Sequence, residues 1–219
     1  MYFSGLNVYP NNNPMDLVAA IESRVSVRSF LPDPVPIPDL KELARLASLA
    51  PSVNNYQPWE YIGITSKELM VRMANVVRDR IRNLPENDSK YSSSVRRQVE
   101  FFATFFDQAP ALIAITMEDY ESVLEKGVSL SHEEINQQRN YPDLQSVGAS
   151  VQNLLLAAVG MGYGACWMSA PMVASKELEA MIGLKSGHRL ICFVALGKPA
   201  SIPVLRGKKK IDEIFRLIG

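Results

Sequence analysis

The stretch Ala50-Pro51-Ser52-Val53-Asn54-Asn55-Tyr56-Gln57-Pro58-Trp59 gathers side-chain amides, a hydroxyl and a large aromatic into ten residues framed by prolines. Such a loop suits hydrogen bonding to the edge of a heterocycle, with the prolines holding it rigid. The same residues also make a capped turn, in which Asn and Ser bond the local backbone. On local grounds the two readings stand level.

Upstream of this loop, Leu40, Leu43, Ala44 and Ala47 recur at helical spacing. Phe30 to Pro38 carries Pro32, Pro34, Pro36 and Pro38, and proline fixes φ and removes a donor, so an extended connector is expected. A first helix, capped by Asn13-Pro14, is expected to end near Arg24 with Leu17, Val18 and Ile21 inward. Residues 1–13 are read as a polar arm.

Downstream, Tyr61–Thr65 reads as a strand, and Ser66 caps a helix with a stripe of Leu69, Met73, Val76, Val77, Ile81 and Leu84. After a polar stretch, Val95, Val99, Phe102 and Phe106 form a second stripe, and Ala111–Met117 a buried strand. Residues 118–140 are the most polar, read as a loop with one short helix, a lid or an insertion. Leu144–Met161 is a helix with Val147, Val151, Leu154, Leu155 and Ala158 inward. Strands follow at Ala165–Met168 and Arg189–Leu196, and a C-terminal segment, 198–219, ends in an amphipathic turn or two. Long helices between short strands predict a single α+β domain over 1–219, a sandwich around one sheet. The apolar helix surface exceeds what one small sheet covers, which leaves some for an interface between subunits.

Lys plus Arg and Asp plus Glu both number 23. This balance offers no argument for a nucleic-acid or membrane partner. No stretch reads as a signal peptide or a bilayer span, so a cytoplasmic protein is expected. Cys166 and Cys192 lie in apolar runs and read as buried thiols. His132 and His188 are isolated, so no metal site is expected. Gly160-Met161-Gly162-Tyr163-Gly164 follows a helix and precedes a strand. A dinucleotide loop needs the reverse order, so these glycines read as a helix stop.

Three further segments can carry chemistry. Arg24-Val25-Ser26-Val27-Arg28 offers guanidinium forks and a hydroxyl to a phosphate, or balances a helix dipole. Ala165 to Pro171 ends a strand in small residues, either facing a flat ring with backbone N–H groups or simply turning. Arg206-Gly207-Lys208-Lys209-Lys210 is a phosphate clamp or a solvated tail.

In order and spacing these segments together resemble the FMN-dependent nitroreductase family. Its Arg-x-Ser-x-Arg pattern is matched by Arg24, Ser26 and Arg28. Its Ala-Pro-Ser-x-x-Asn-x-Gln-Pro-Trp is matched by Ala50, Pro51, Ser52, Asn55, Gln57, Pro58 and Trp59. Val151–Ala158, Gly162–Trp167 and Ala195–Pro199 are also similar, so the resemblance runs through most of the chain from Asp16 onward.

The resemblance implies a nitroreductase-like α-β-α sandwich, with a mostly antiparallel central sheet flanked by helices, in an intertwined homodimer. It implies FMN as cofactor, NADH or NADPH as donor, and a small nitroaromatic, quinone or similar flat acceptor. Arg24, Val25, Ser26 and Arg28 would then contact the FMN phosphate, ribityl chain and pyrimidine edge. Pro51, Ser52, Val53, Asn55 and Gln57 would reach the flavin held mainly by the other subunit. Trp167, Met168, Ser169 and Ala170 would lie along the ring, with a backbone N–H near Ser169 toward N5. Arg206 and Lys208 would close the phosphate site. No side chain is expected as acid or base. Some members place a Lys or Asn over the flavin from the central helix; here that helix offers Arg96, Arg97 and Thr104, without a match. Three alternatives stay open. One is a reductive dehalogenase of iodinated tyrosine, whose lid residue types occur at Glu86, Lys90 and Tyr91. The others are a flavin-fragmenting enzyme and a non-catalytic flavin protein blocked by residues 118–140.

Overall fold

A computed structural model describes residues 15–85, 92–120, 122–201, 203–205 and 207–219. The expected arm at 1–13, the Asn13-Pro14 cap, and Glu86, Lys90, Tyr91 and Arg206 lie outside the described residues.

In chain order the helices are α1 (Leu17–Ser23), α2 (Ile37–Ala47), α3 (Lys67–Arg82), α4 (Ser92–Thr104), α5 (His132–Gln138), α6 (Pro142–Gly160), α7 (Ser175–Met181) and α8 (Ile211–Ile214). The strands are β1 (Trp59–Ile64), β2 (Ala111–Glu118), β3 (Gly164–Met168) and β4 (His188–Gly197). They form one antiparallel sheet in the order β1-β2-β4-β3. The central pair reads as unbroken apolar sequence because helices cover both faces. Ile113, Ile115, Met117 and Val194 meet α2 and α6 on one side. Leu112, Ala114 and Phe193 meet α3 and α7 on the other. This is the α-β-α sandwich expected of the chain.

Sequence details explain the boundaries. The proline-rich connector stays extended until α2 starts at Ile37, with Pro36 as its N-cap. The Ser66 side chain accepts the Leu69 N–H and starts α3. On α6, Val147, Val151, Leu154, Leu155 and Ala158 are all buried, as the spacing predicts.

The inward stripe expected on α1 is corrected, and the α4 stripe faces outward. Leu17, Val18 and Ile21 on α1 are exposed, and only Ala20 is buried. On α4, Val95, Val99 and Phe102 are exposed, whereas Phe106, just beyond the helix, is fully buried. The helical period is right in both cases, but the sheet faces are already covered by α3 and α6, so both stripes stay largely exposed. Leu84, beyond the end of α3, is exposed as well. Residues 118–140 hold a 3-10 turn, Val123–Lys126, besides α5, and each starts with a capping box (Ser122 with Glu125; Ser131 with Glu134). Residues 207–219 are exposed throughout, with one short turn of helix.

Cys166 and Cys192 are free and buried. Burial raises both thiols, Cys192 to about 12. The thiolate is the nucleophile, so iodoacetamide near neutral pH should leave the folded protein unmodified and label both cysteines after unfolding. Intact-protein mass spectrometry reads this directly.

Candidate functional site

One half of the site lies along β3. After α1 the backbone turns extended at Arg24 (φ −60°, ψ 119°) and runs beside this edge strand. The Val27 N–H donates to Ala165 O at 3.0 Å, and Ser26 pairs with Ala165 in a parallel bridge. Gly164 permits the approach, since a Cβ there would stand 2.8 Å from the Val27 side chain.

Arg24, Ser26 and Arg28 thereby gather around Cys166. Burial raises its thiol, and Arg28, the Ser26 hydroxyl and Arg24 oppose that rise. Val25 between them is half-buried. The Arg28 guanidinium donates to Ser26 O at 3.3 Å and stacks 5.2 Å from the Phe102 ring centroid. Beside it opens a cleft of about 700 Å³, walled by Phe30, Met70, Lys67 and Gln108. Further along β3, Met168 is buried, but Trp167 is 44% exposed and Ser169 and Ala170 lie open at the surface. Lys208 is exposed in the C-terminal segment.

The other half is the loop before β1. Asn54, Asn55 and Gln57 all adopt left-handed backbone, at φ 49°, 55° and 54°. Asn tolerates this region; Gln rarely enters it. Within the loop, the Gln57 N–H donates to Ser52 Oγ at 3.0 Å, and Gln57 Nε2 donates to Asn55 Oδ1 at 3.3 Å. From outside, Ser146 Oγ on α6 accepts the Val53 N–H at 3.0 Å. Tyr120 Oη accepts from Asn54 Nδ2 at 2.6 Å. The Tyr56 ring meets Tyr120 edge-on at 4.9 Å.

Within one chain these halves hang from different sheet edges. The loop feeds β1 and the arginine segment flanks β3, the two opposite edges of the sheet. Three inter-strand steps separate the edges by about 14 Å. The structure therefore sets Arg24, Ser26 and Arg28 beside Ala165 and Cys166, while the Trp167 ring lies against α6 at Gly148, the helix whose Ser146 also holds the Pro51–Gln57 loop. Tyr120, Ser146 and Phe102 were not singled out in the sequence as site residues. Phe102 sits in an apolar helical stripe, and nothing in the polar stretch after β2 marks Tyr120.

Residues 21–198 match the Nitroreductase family, so the chain belongs to that family. It is 21% identical over 195 residues to YfhC of Bacillus subtilis, which is named as an NAD(P)H nitroreductase, covering 89% of this chain and 90% of that one. It is 24% identical over 201 residues to the iodotyrosine deiodinase of Danio rerio, covering 89% of this chain but 64% of that longer protein. Among solved structures, a BluB-like flavoprotein from Clostridium difficile superposes with a TM-score of 0.84 at 27% identity, covering 94% of this chain and 100% of that one. A nitroreductase with bound FMN from Desulfitobacterium hafniense shares the fold at 0.70 and 21% identity, covering 92% and 98%. No helix among the described residues is long and apolar enough to cross a membrane.

Proposed function

We propose that the chain is an FMN-dependent NAD(P)H oxidoreductase working as a homodimer. Each flavin would be held by Arg24–Arg28 and the β3 edge of one copy and by the Pro51–Gln57 loop of the other. The observation that carries this reading is the split itself: the segments of one cofactor motif occupy opposite sheet edges. A second copy, seated on the exposed stripes of α1 and α4, would bring them face to face.

The residues present fit FMN. Its phosphate carries about two negative charges, and Arg24 with Ser26 offers a fork of donors and a hydroxyl beside the strand. Lys208 and Arg206 would complete the charge balance from the C-terminal segment. Arg28, fixed by its stack on Phe102, would place positive charge at the pyrimidine edge and favour the reduced, anionic ring. Ser169 and Ala170, exposed and small, leave a ring face open to a flat substrate. The amides of Asn55 and Gln57 would bond the ring edge. When bound, FMN would supply hydride-transfer chemistry between NADH or NADPH and a nitroaromatic, quinone or similar small acceptor.

The test is reduction without oxygen. Purified protein should carry FMN, and NADH or NADPH should bleach its visible absorbance, which a nitro compound then restores. A flavin that stays oxidised with both donors would sink the oxidoreductase reading and leave a flavin-binding protein. The similarity to the Danio rerio deiodinase favours a second reading, reductive removal of iodide from a tyrosine. Faster turnover of iodotyrosine than of simple nitro compounds would select it.

A further inference from the structure

Asn54, Asn55 and Gln57 carry left-handed backbone. A left-handed residue costs roughly 1–2 kcal/mol, and such strain persists only where the surroundings over-determine it. The bonds inside the loop, from Gln57 N–H to Ser52 Oγ, Asn55 N–H to Ser52 O at 3.0 Å, Tyr56 N–H to Val53 O at 2.9 Å and Gln57 Nε2 to Asn55, close it but do not orient it against the body of the protein. Two buried hydroxyls reach the loop from the body of the protein. Ser146, 5% exposed, spends its own proton on Pro142 O at 2.7 Å, so its lone pairs face the Val53 N–H. Tyr120, 2% exposed, turns its oxygen to Asn54 Nδ2, and the Tyr56 hydroxyl donates to Asp119 O at 3.2 Å.

Tyr120 is itself well anchored. The Glu118 N–H bonds Pro58 O at 3.0 Å and the Asp119 N–H bonds Gly187 O at 3.1 Å, tying the exit of β2 to its surroundings. The chain that follows is stapled to itself. His132 Nδ1 bonds Glu125 at 2.9 Å, His132 Nε2 meets Asn136 Nδ2 at 2.7 Å, and Arg139 donates to Ser122 at 2.9 Å. The His132 hydrogen bond and then the Ser122 N–H hold the Glu125 carboxyl below its ordinary range.

We propose that Tyr120 and Ser146 are positioning residues, which hold the Ser52–Gln57 loop in the conformation that presents Asn55 and Gln57 to a flavin carried by a second copy. The proposal rests on the flavin reading above. It also assigns Asp119 and Tyr120, at the exit of β2, to the support of the loop.

The experiment uses Tyr120→Phe and Ser146→Ala in the full-length chain, with Val123→Ser on the exposed face of the same segment as a control. Apoprotein is titrated with FMN and with riboflavin, and the visible circular dichroism of the bound flavin is recorded. Tyr120→Phe keeps the ring and removes one buried acceptor. It should weaken FMN and riboflavin equally, each about tenfold, and alter the flavin dichroism while the far-ultraviolet spectrum stays native. Val123→Ser should match wild type. Should Tyr120→Phe fail to fold, Ser146→Ala carries the same expectation. Wild-type affinity and flavin dichroism in a folded Tyr120→Phe or Ser146→Ala overturn the proposal. Wild-type protein that takes up neither flavin overturns the flavin reading, and the proposal with it.

Discussion

Arg24→Ala is expected to lower the affinity for FMN about a hundredfold, while affinity for riboflavin stays within about twofold. Arg24 is half-buried at the end of α1, where the extended backbone sets it beside Ser26 and β3. A charge-assisted fork onto a phosphate is worth about 2–3 kcal/mol, and removing it leaves the dianion short of a partner. Riboflavin has the same ring and no phosphate, so it isolates that contact. Arg24→Lys, which keeps charge and loses the fork, should fall between. Titration of apoprotein with both flavins reads all three. Equal losses on the two flavins would move Arg24 away from the phosphate.

Gly197→Ala should cost about 3 kcal/mol of stability. A Cβ at Gly197 would lie 2.5 Å from Pro110 Cγ, 2.6 Å from its Cδ and 3.2 Å from Phe30. The proline ring cannot step aside, and it immediately precedes β2, whose first residue pairs with Leu196. The clash therefore presses on the central strand pair and on the Phe30 bridge to Pro199. Gly63→Ala is the control. It sits in β1, its Cβ would meet only Leu40 at 3.8 Å, and it should change stability by no more than about 0.5 kcal/mol. Urea denaturation of both variants makes the comparison, and equal stabilities would mean the β2–β4 end is softer than its packing implies.

Much of the fold was legible because its signals are local. The connector prolines, the Ser66 cap and the β2 and β4 runs each fix an element without knowledge of its neighbours. The inward side of a helix is a different kind of fact. Val95, Val99 and Phe102 have the period of a core stripe, yet which stripe is covered depends on α3 and on what lies outside one chain. The site divides in the same way. Arg24, Ser26 and Arg28 are legible as a phosphate-type cluster because three residues of extended chain keep them together. The loop is legible as an amide-rich turn, and its left-handed backbone is foreshadowed by paired asparagines. Tyr120 and Ser146 are not legible, since each meets the loop across a long sequence gap. The distance between the two halves is set by strand order, which no motif contains.

Strand order also has a consequence for inheritance. With the arginine segment on one sheet edge and the loop on the other, each cofactor site in the proposed pair of copies draws on both chains. A copy damaged at Arg24 keeps a sound loop, and a copy damaged at Asn55 keeps a sound arginine segment. Joined to one another, two such defective copies would assemble one whole site and one doubly broken site. Lesions in different halves of this protein would then complement each other, whereas two lesions in the same half would not.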